Sequence, residues 1–260
     1  MADAADHPVQ VERRGAVALV RLHRPEKLNA LDLATRRRLA GALRDLAADR
    51  EVRVIVISGG DQVFAAGADL RLLADKTPGQ VQALGFSELW EPIVDCPKPV
   101  IAAVSGLALG AGCELALMCD MIVADAVAQF GLPESRVGVM PGAGGGQRLM
   151  RALGRPMASY MLMTGARLPA ARAWQLGLVC ELAEAGQAEA KALELAGQIA
   201  SQPPLALAAI KRGLAGGEGL PLAAANALEN REFLLLFDTA DQKEGMAAFL
   251  DKRAPVFEGR

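Results

Sequence analysis

Apolar positions fall into two regimes along this chain. In the first half, short apolar runs alternate with stretches of helical spacing. Val17 to Leu22 predicts a strand. Val52 to Ser58, V-R-V-I-V-I-S, is a β-branched run that predicts a buried strand ending at Gly59-Gly60. Val100 to Val104, entered through Pro97 and Pro99, predicts another, and Met121 to Ala124 a short third. Between the first two strands, Asp32 to Asp49 sets Leu33, Leu39, Leu43 and Leu46 near one helical face, with Asp32 at the N-cap and Thr35 competing for that place. Strands separated by helices predict an α/β fold whose sheet is mostly parallel and covered by helices.

From about Gly186 the pattern becomes helical throughout. Glu189 to Ile199, Leu205 to Leu214, Leu220 to Leu236 and Asp241 to Lys252 predict helices separated by Gly and Pro breaks. Apolar clusters such as Leu234-Leu235-Leu236-Phe237 exceed what a small helical appendage can bury alone, which points to self-association. No internal repeat or low-complexity tract interrupts either half.

Composition narrows the function classes. With 260 residues, 52% hydrophobic and 22% charged, the chain has ample material for a packed core. Aromatics are only 4%, so Leu, Ala, Val, Ile and Met must build that core. A formal net charge of −2 argues against general electrostatic binding to nucleic acid, and Arg36-Arg37-Arg38 reads as a solvated helix face. The polar, acidic Met1 to Pro8 matches no secretory or organelle leader, and no segment supplies the roughly 18 uninterrupted apolar residues of a membrane helix. A cytoplasmic protein without a membrane partner is the expectation. Cys96, Cys113, Cys119 and Cys180 form no C-x-x-C pair, and His7 and His23 are the only histidines. Reduced, packed thiols and no metal site are expected.

Two loops stand out for their small residues: F-A-A-G-A-D at Phe64 to Asp69 and S-G-L-A-L-G-A-G-C-E at Ser105 to Glu114. Small residues let a ligand approach the backbone. The run from Gly142 to Gly146 lacks the G-K-[ST] ending of a phosphate loop, and Gly110-Ala111-Gly112 lacks the third glycine of a dinucleotide fingerprint. Neither Ser58 nor Ser105 sits in G-x-S-x-G, so a nucleophilic triad has little support. Glu114 lies at a predicted helix start among Cys, Leu, Ala and Met, and its nearest basic neighbours in sequence are Lys98 and Arg136. It reads either as a structural glutamate paired with a distant arginine or as a carboxylate held in a partly dry cleft. Glu134, after a proline in F-G-L-P-E-S-R, reads either as a helix-start carboxylate or as a site residue. Unpaired N–H groups at Gly112 and in Ala66-Gly67-Ala68 have the makings of an oxyanion hole.

These motifs together resemble the enoyl-CoA hydratases of the crotonase superfamily. The matching stretches are F-A-A-G-A-D-L at Phe64 to Leu70, A-L-G-A-G-C-E-L-A-L-M-C-D at Ala108 to Asp120, and A-Q-F-G-L-P-E-x-x-x-G-x-x-P-G-A-G-G at Ala128 to Gly145. The likeness runs from R-P-E-K-L-N-A-L at Arg24 to E-G-M-A-A-F-L-D-K-R ending at Arg253. It implies a ClpP-like spiral of β-β-α turns over 1–195, holding the CoA and active site. A C-terminal helical segment over 196–260 would serve trimerisation, with trimers often paired into hexamers.

The resemblance also assigns roles. The N–H groups of Ala68 and Ala111 would hold the thioester oxygen, and Glu114 and Glu134 would act on one water beside Gly142. Many relatives have glycine at the position of Ala111, a change that keeps the donor. CoA would lie along Lys27, Leu28 and Ala30 and along Ala66, Asp69, Leu70 and Arg71, with Leu132 and Pro141 also among the substrate-binding positions. Phe249 and Lys252 would reach CoA from a neighbouring subunit. Some hydratases carry Gln where this chain has Leu132. CoA belongs to the substrate, so no cofactor is implied.

The implied reaction is reversible addition of water to a trans-2-enoyl-CoA, giving the 3-hydroxyacyl-CoA, in fatty-acid or phenylacetate catabolism. Relatives that isomerise a Δ3 to a Δ2 double bond commonly keep only the carboxylate corresponding to Glu134. A few RNA-binding relatives carry a Lys-rich helix, whereas Glu189 to Lys211 here is rich in Ala and Leu. The chain is also similar to bacterial hydratases of the phenylacetate pathway acting on 2,3-dehydroadipyl-CoA. That substrate calls for a basic residue at the pocket's far end, with Arg71 and Arg136 as candidates.

Overall fold

The computed structural model describes residues 7–260, so most of the polar N-terminus read above lies outside the described residues. Strands β1 (Val9–Arg14) and β2 (Val17–Leu22) form an antiparallel pair. Helix α1 (Leu33–Ala48) follows, with the Asp32 carboxylate accepting from Thr35 N at 2.9 Å, so Asp32 is the N-cap. Three turns then repeat one plan. Strand β3 (Val54–Ser58) is followed by β4 (Val63–Ala65) and helices α2 (Pro78–Gln82) and α3 (Phe86–Val94). Next come β5 (Val100–Val104), β6 (Leu107–Leu109) and α4 (Ala111–Met118). Then β7 (Met121–Asp125) and β8 (Gln129–Gly131) lead through a 3-10 turn at Pro133–Val137 to α5 (Gly145–Thr164), which is broken at Gly154.

The first strand of each turn enters a six-stranded sheet of order β1-β2-β3-β5-β7-β10, and the second enters a four-stranded sheet of order β4-β6-β8-β9. Strand β9 (Arg167–Pro169), helix α6 (Ala170–Gln175) and β10 (Glu181–Ala183) close both sheets. Apart from β1-β2 and β8-β9, the paired strands are parallel. The result is a spiral of β-β-α turns.

The large sheet shows why continuous apolar runs suit parallel strands. Alternate residues face opposite sides. Ala18, Val20, Ile55, Ile57, Ala102 and Val104 enter the main core with Phe64, Phe130 and Leu115. Val17, Leu19, Val54, Val56, Ile101 and Ala103 face the other way, onto helix α7 (Ala188–Ala200). That helix presents Ala192, Ala196 and Ala200, spaced by one turn, so its backbone can lie close to the sheet. The core therefore continues to Ala200. The expected edge at 195 falls inside α7, and the helical segment beyond it begins at about residue 201.

That segment comprises α8 (Pro204–Gly217), α9 (Leu222–Leu236) and α10 (Ala240–Leu250). Lys211 ties α8 to the core through Asp120 at 2.7 Å, and Arg53 holds the Phe257 carbonyl at 2.6 Å. Leu214, Leu222, Leu234, Leu235, Phe249 and Leu250 remain exposed. Among the thiols, Cys96 and Cys113 are buried, while Cys180 is exposed, against the expectation that all four pack. Among the described residues no helix is long and apolar enough to cross a membrane.

Candidate active site

The site is built where the small sheet's strand ends meet. Asn29, buried and with φ of +54°, donates to the carbonyls of Gly59, Val63 and Phe64, pinning the loop after β2 to β4. Ala66 N donates to Leu28 O at 3.0 Å, and Leu31 N to Gly67 O at 2.8 Å. Those two bonds lay Lys27 to Ala30 beside Ala66 to Ala68, two stretches far apart in sequence. On the other side, Gly112 of α4 meets β4 so closely that an added Cβ would stand 2.2 Å from Ala65 O. A Cβ on Gly110 would lie 3.7 Å from Gly67 Cα and 3.3 Å from Glu134 Oε1. The loops around Gly67, Gly110 and Glu134 therefore share one spot. Ala111 opens α4, so its N–H has no acceptor one turn back in its own helix.

Glu114 sits one turn into α4 and is 4% exposed. Its Oε1 accepts from Ala143 N at 2.8 Å and Gly145 N at 3.1 Å. Gly144, at φ of +85°, turns the chain so that both N–H groups face the same oxygen. The glycine run that lacks a phosphate signature thus wraps a carboxylate at the N-terminus of α5, where the helix dipole favours negative charge. Gly145 is required there, since a Cβ would stand 2.6 Å from Glu114 Cγ. No arginine or lysine among the described residues reaches ion-pair distance of Glu114, although the buried Arg36 is near enough to interact with its charge.

Glu134 has the opposite surroundings. It lies in the 3-10 turn after Pro133, half-buried, and its Oε2 is enclosed with no hydrogen-bond partner. Burial, reinforced by the negative charge of Glu114, raises its pKa to about 7. One carboxyl is held by two backbone donors while its neighbour stands ready to carry a proton near neutrality.

Of the expected site residues, Glu134 comes to the Gly67–Gly110 contact beside Ala111, Glu114 lies one turn along α4, and Leu28 and Ala30 run beside Ala66 and Ala68. Gly142 and Ala143 line a cavity of about 250 Å³ with Trp90, Met118 and Arg148. A larger cavity of about 340 Å³, lined by His23, Arg24 and Glu26, lies on the outer side of the loop after β2 and touches neither glutamate. Phe249 and Lys252 stand exposed at the end of α10 and join none of these contacts.

Three expectations change. Leu132 is fully buried in the main core and has no surface to offer a ligand, so it backs the site rather than touching substrate. Arg136 is exposed and donates to Thr164 O at 3.2 Å, while Arg71 is exposed beyond the loop after β4, so neither supplies a buried cation. Arg36 does not belong to a solvated face. It is 4% exposed, while Arg37 and Arg38 face solvent. Its spacing from Leu39, Ala40 and Leu43 on α1 was the available signal, since i, i+3, i+4 and i+7 share a helical face. Among the described residues, no group of three His, Cys, Asp or Glu side chains could hold a metal ion.

The two-sheet spiral thus brings a buried carboxylate, a partnerless carboxyl and a helix-start N–H to one spot. The family model described as "Enoyl-CoA hydratase/isomerase" matches residues 12–260, and the chain belongs to that family. It is 44% identical over 250 residues to the 2,3-dehydroadipyl-CoA hydratase of Escherichia coli K12, covering 96% of this chain and 98% of that protein. It is 40% identical over 250 residues to the mitochondrial enoyl-CoA hydratase of Pongo abelii, covering 95% and 86%. The solved enoyl-CoA hydratase of Bacillus anthracis superposes with a TM-score of 0.93 at 34% identity, over 98% of this chain and all of that one, 100%.

Proposed function

We propose that this chain is an enoyl-CoA hydratase, adding water reversibly across the 2,3-double bond of a trans-2-enoyl-CoA. The observation that carries this reading is the contrast between the two carboxyls at one spot. Attack of water at C3 sends negative charge onto the thioester oxygen. The N–H groups of Ala68 and Ala111 stabilise that oxygen, and loss of one such donor typically costs about 3–4 kcal/mol. Glu114, as a carboxylate fixed by Ala143 and Gly145, polarises the attacking water. Gly142, beside Ala143, helps hold that water. Glu134, protonated, delivers a proton to C2, and its raised pKa fits that task.

CoA runs along Lys27, Leu28 and Ala30 and past Ala66, Asp69, Leu70 and Arg71, with Pro141 at the acyl side. No cofactor takes part. The helices beyond residue 200 assemble three chains, covering Leu234 and Leu235 and bringing Phe249 and Lys252 to a neighbour's CoA, with a dimer of trimers as the larger form. The enzyme works in the cytoplasm, and its substrate set includes 2,3-dehydroadipyl-CoA, the compound for which the Escherichia coli relative is named.

The test is to supply crotonyl-CoA and, separately, a 3-enoyl-CoA. Formation of 3-hydroxybutyryl-CoA is expected. Conversion of the 3-enoyl-CoA to a 2-enoyl-CoA with no hydroxyacyl product from either substrate would replace this reading with an isomerase.

A further inference from the structure

The grip on Glu114 depends on successive peptides in the loop that opens α5. Ala143 N and Gly145 N, on the outer peptides, both donate to Glu114 Oε1. The peptide between them, which carries Ala143 O, gives Glu114 no bond. Gly144 follows it at φ of +85° with no side chain to restrict its dihedrals. A swing of that middle peptide would carry Gly145 N off the carboxylate.

Arg148 holds the middle peptide. Its Nη1 donates to Ala143 O at 2.9 Å, the guanidinium's one hydrogen bond among the described residues. The same nitrogen lies over Gly144, where an added Cβ would stand 2.5 Å from it. Gly144 therefore serves twice: it allows the left-handed turn and leaves room for the guanidinium. Arg148 N also donates to Gly144 O at 3.0 Å, so one residue fixes both carbonyls of the turn.

Ordinary roles do not account for a cation at this position. Arg148 is half-buried in the first turn of α5, where the helix dipole disfavours positive charge. Glu91 and Asp95 line the same cavity, yet no carboxylate among the described residues forms an ion pair with Arg148. A cation that breaks a local rule without a salt bridge marks a place where function sets the residue.

We propose that Arg148 is a positioning residue for hydration. By pinning Ala143 O it keeps Ala143 N and Gly145 N converged on Glu114, and so keeps that carboxylate aimed at the attacking water. This rests on the hydratase reading above. The guanidinium acts through Glu114, so its loss slows the chemical step without weakening substrate binding.

The test measures kcat and KM for crotonyl-CoA in Arg148→Met, which keeps an apolar stem and removes the donor. A kcat lower by about tenfold or more is expected, with KM within about twofold of wild type. Arg148→Lys still carries a donor but not the planar group that covers Gly144, so its kcat is expected to fall between the two. In the Glu114→Gln background, Arg148→Met should cost less than about twofold more, because the carboxylate it positions is already gone. Wild-type kcat in either single variant would overturn the proposal, so Arg148→Lys decides alone if Arg148→Met fails to fold. A raised KM with kcat kept would overturn it too, making Arg148 a substrate contact. So would a loss that persists in full beside Glu114→Gln, the mark of a disturbed fold. Absence of hydration of every enoyl-CoA by the wild type would remove the hydratase reading itself, a distinguishable result.

Discussion

Glu114 and Glu134 lie at one site in two unlike neighbourhoods. Glu114 grows from a regular helix and is gripped by two N–H groups at the start of α5. Glu134 projects from a short 3-10 turn, with one oxygen enclosed and unpartnered. The first setting stabilises a charge and fixes its direction. The second disfavours charge and leaves a proton free to move. The lesson is that local backbone geometry can give two chemically identical side chains unlike surroundings, which is what the proposed division of roles rests on.

The sharpest way to break this contrast is to remove either carboxyl. Glu114→Gln and Glu134→Gln are each expected to lower kcat for crotonyl-CoA hydration by about a thousandfold, with the fold kept by circular dichroism. A near-normal rate in either variant would remove that residue from the chemistry. Next in size is Gly145→Ala. Its Cβ would press on Glu114 Cγ, so the carboxylate must swing away, and kcat should fall about tenfold to a hundredfold while the mean helix content holds. An unchanged kcat would mean that the grip on Glu114 is not needed.

A smaller effect appears in the pH dependence. In the proposed role Glu134 acts with its proton on, so kcat/KM should decline as pH rises through about 7. A flat profile from pH 6 to 9 would contradict the assigned role. The smallest effect is on stability. A carboxyl with a raised folded-state pKa binds its proton more tightly when folded, so stability falls as pH rises from about 4.5 to about 7 and stays lower above that. Glu134→Gln removes that penalty. Its Tm should exceed the wild-type value by a few degrees at pH 8 and match it at pH 4.

The scaffold was far more legible in the sequence than the site. Val54–Ser58 and Val100–Val104 announce themselves because both faces of a central parallel strand are buried, which demands an unbroken β-branched or apolar run. The second sheet left no such trace. Its strands are three residues long; V-F-A and L-A-L overlap the small-residue stretches, and Q-F-G is too short to show a strand pattern. Those same stretches became the walls of the site. Strand β1 was also missed, since V-Q-V-E-R-R is half exposed at the sheet edge.

Motif resemblance pointed to Glu114 and Glu134, but not to what surrounds them. That Ala143 and Gly145 converge on Glu114 depends on a left-handed turn at Gly144, and the closure of Gly110 on Gly67 depends on three chain segments meeting. Arg36 was misplaced for a different reason. Three consecutive arginines look like one solvated cluster, yet a helix turns each by about 100°, and the first of them faces the core.

The pairing of the two carboxyls is tested most directly by the hydration rate of Glu114→Gln/Glu134→Gln against the two single variants. If both glutamates serve one water and one proton transfer, the double variant should be no more than about tenfold slower than the slower single variant. Losses that multiply in full, each residue acting as though the other were intact, would contradict a shared site.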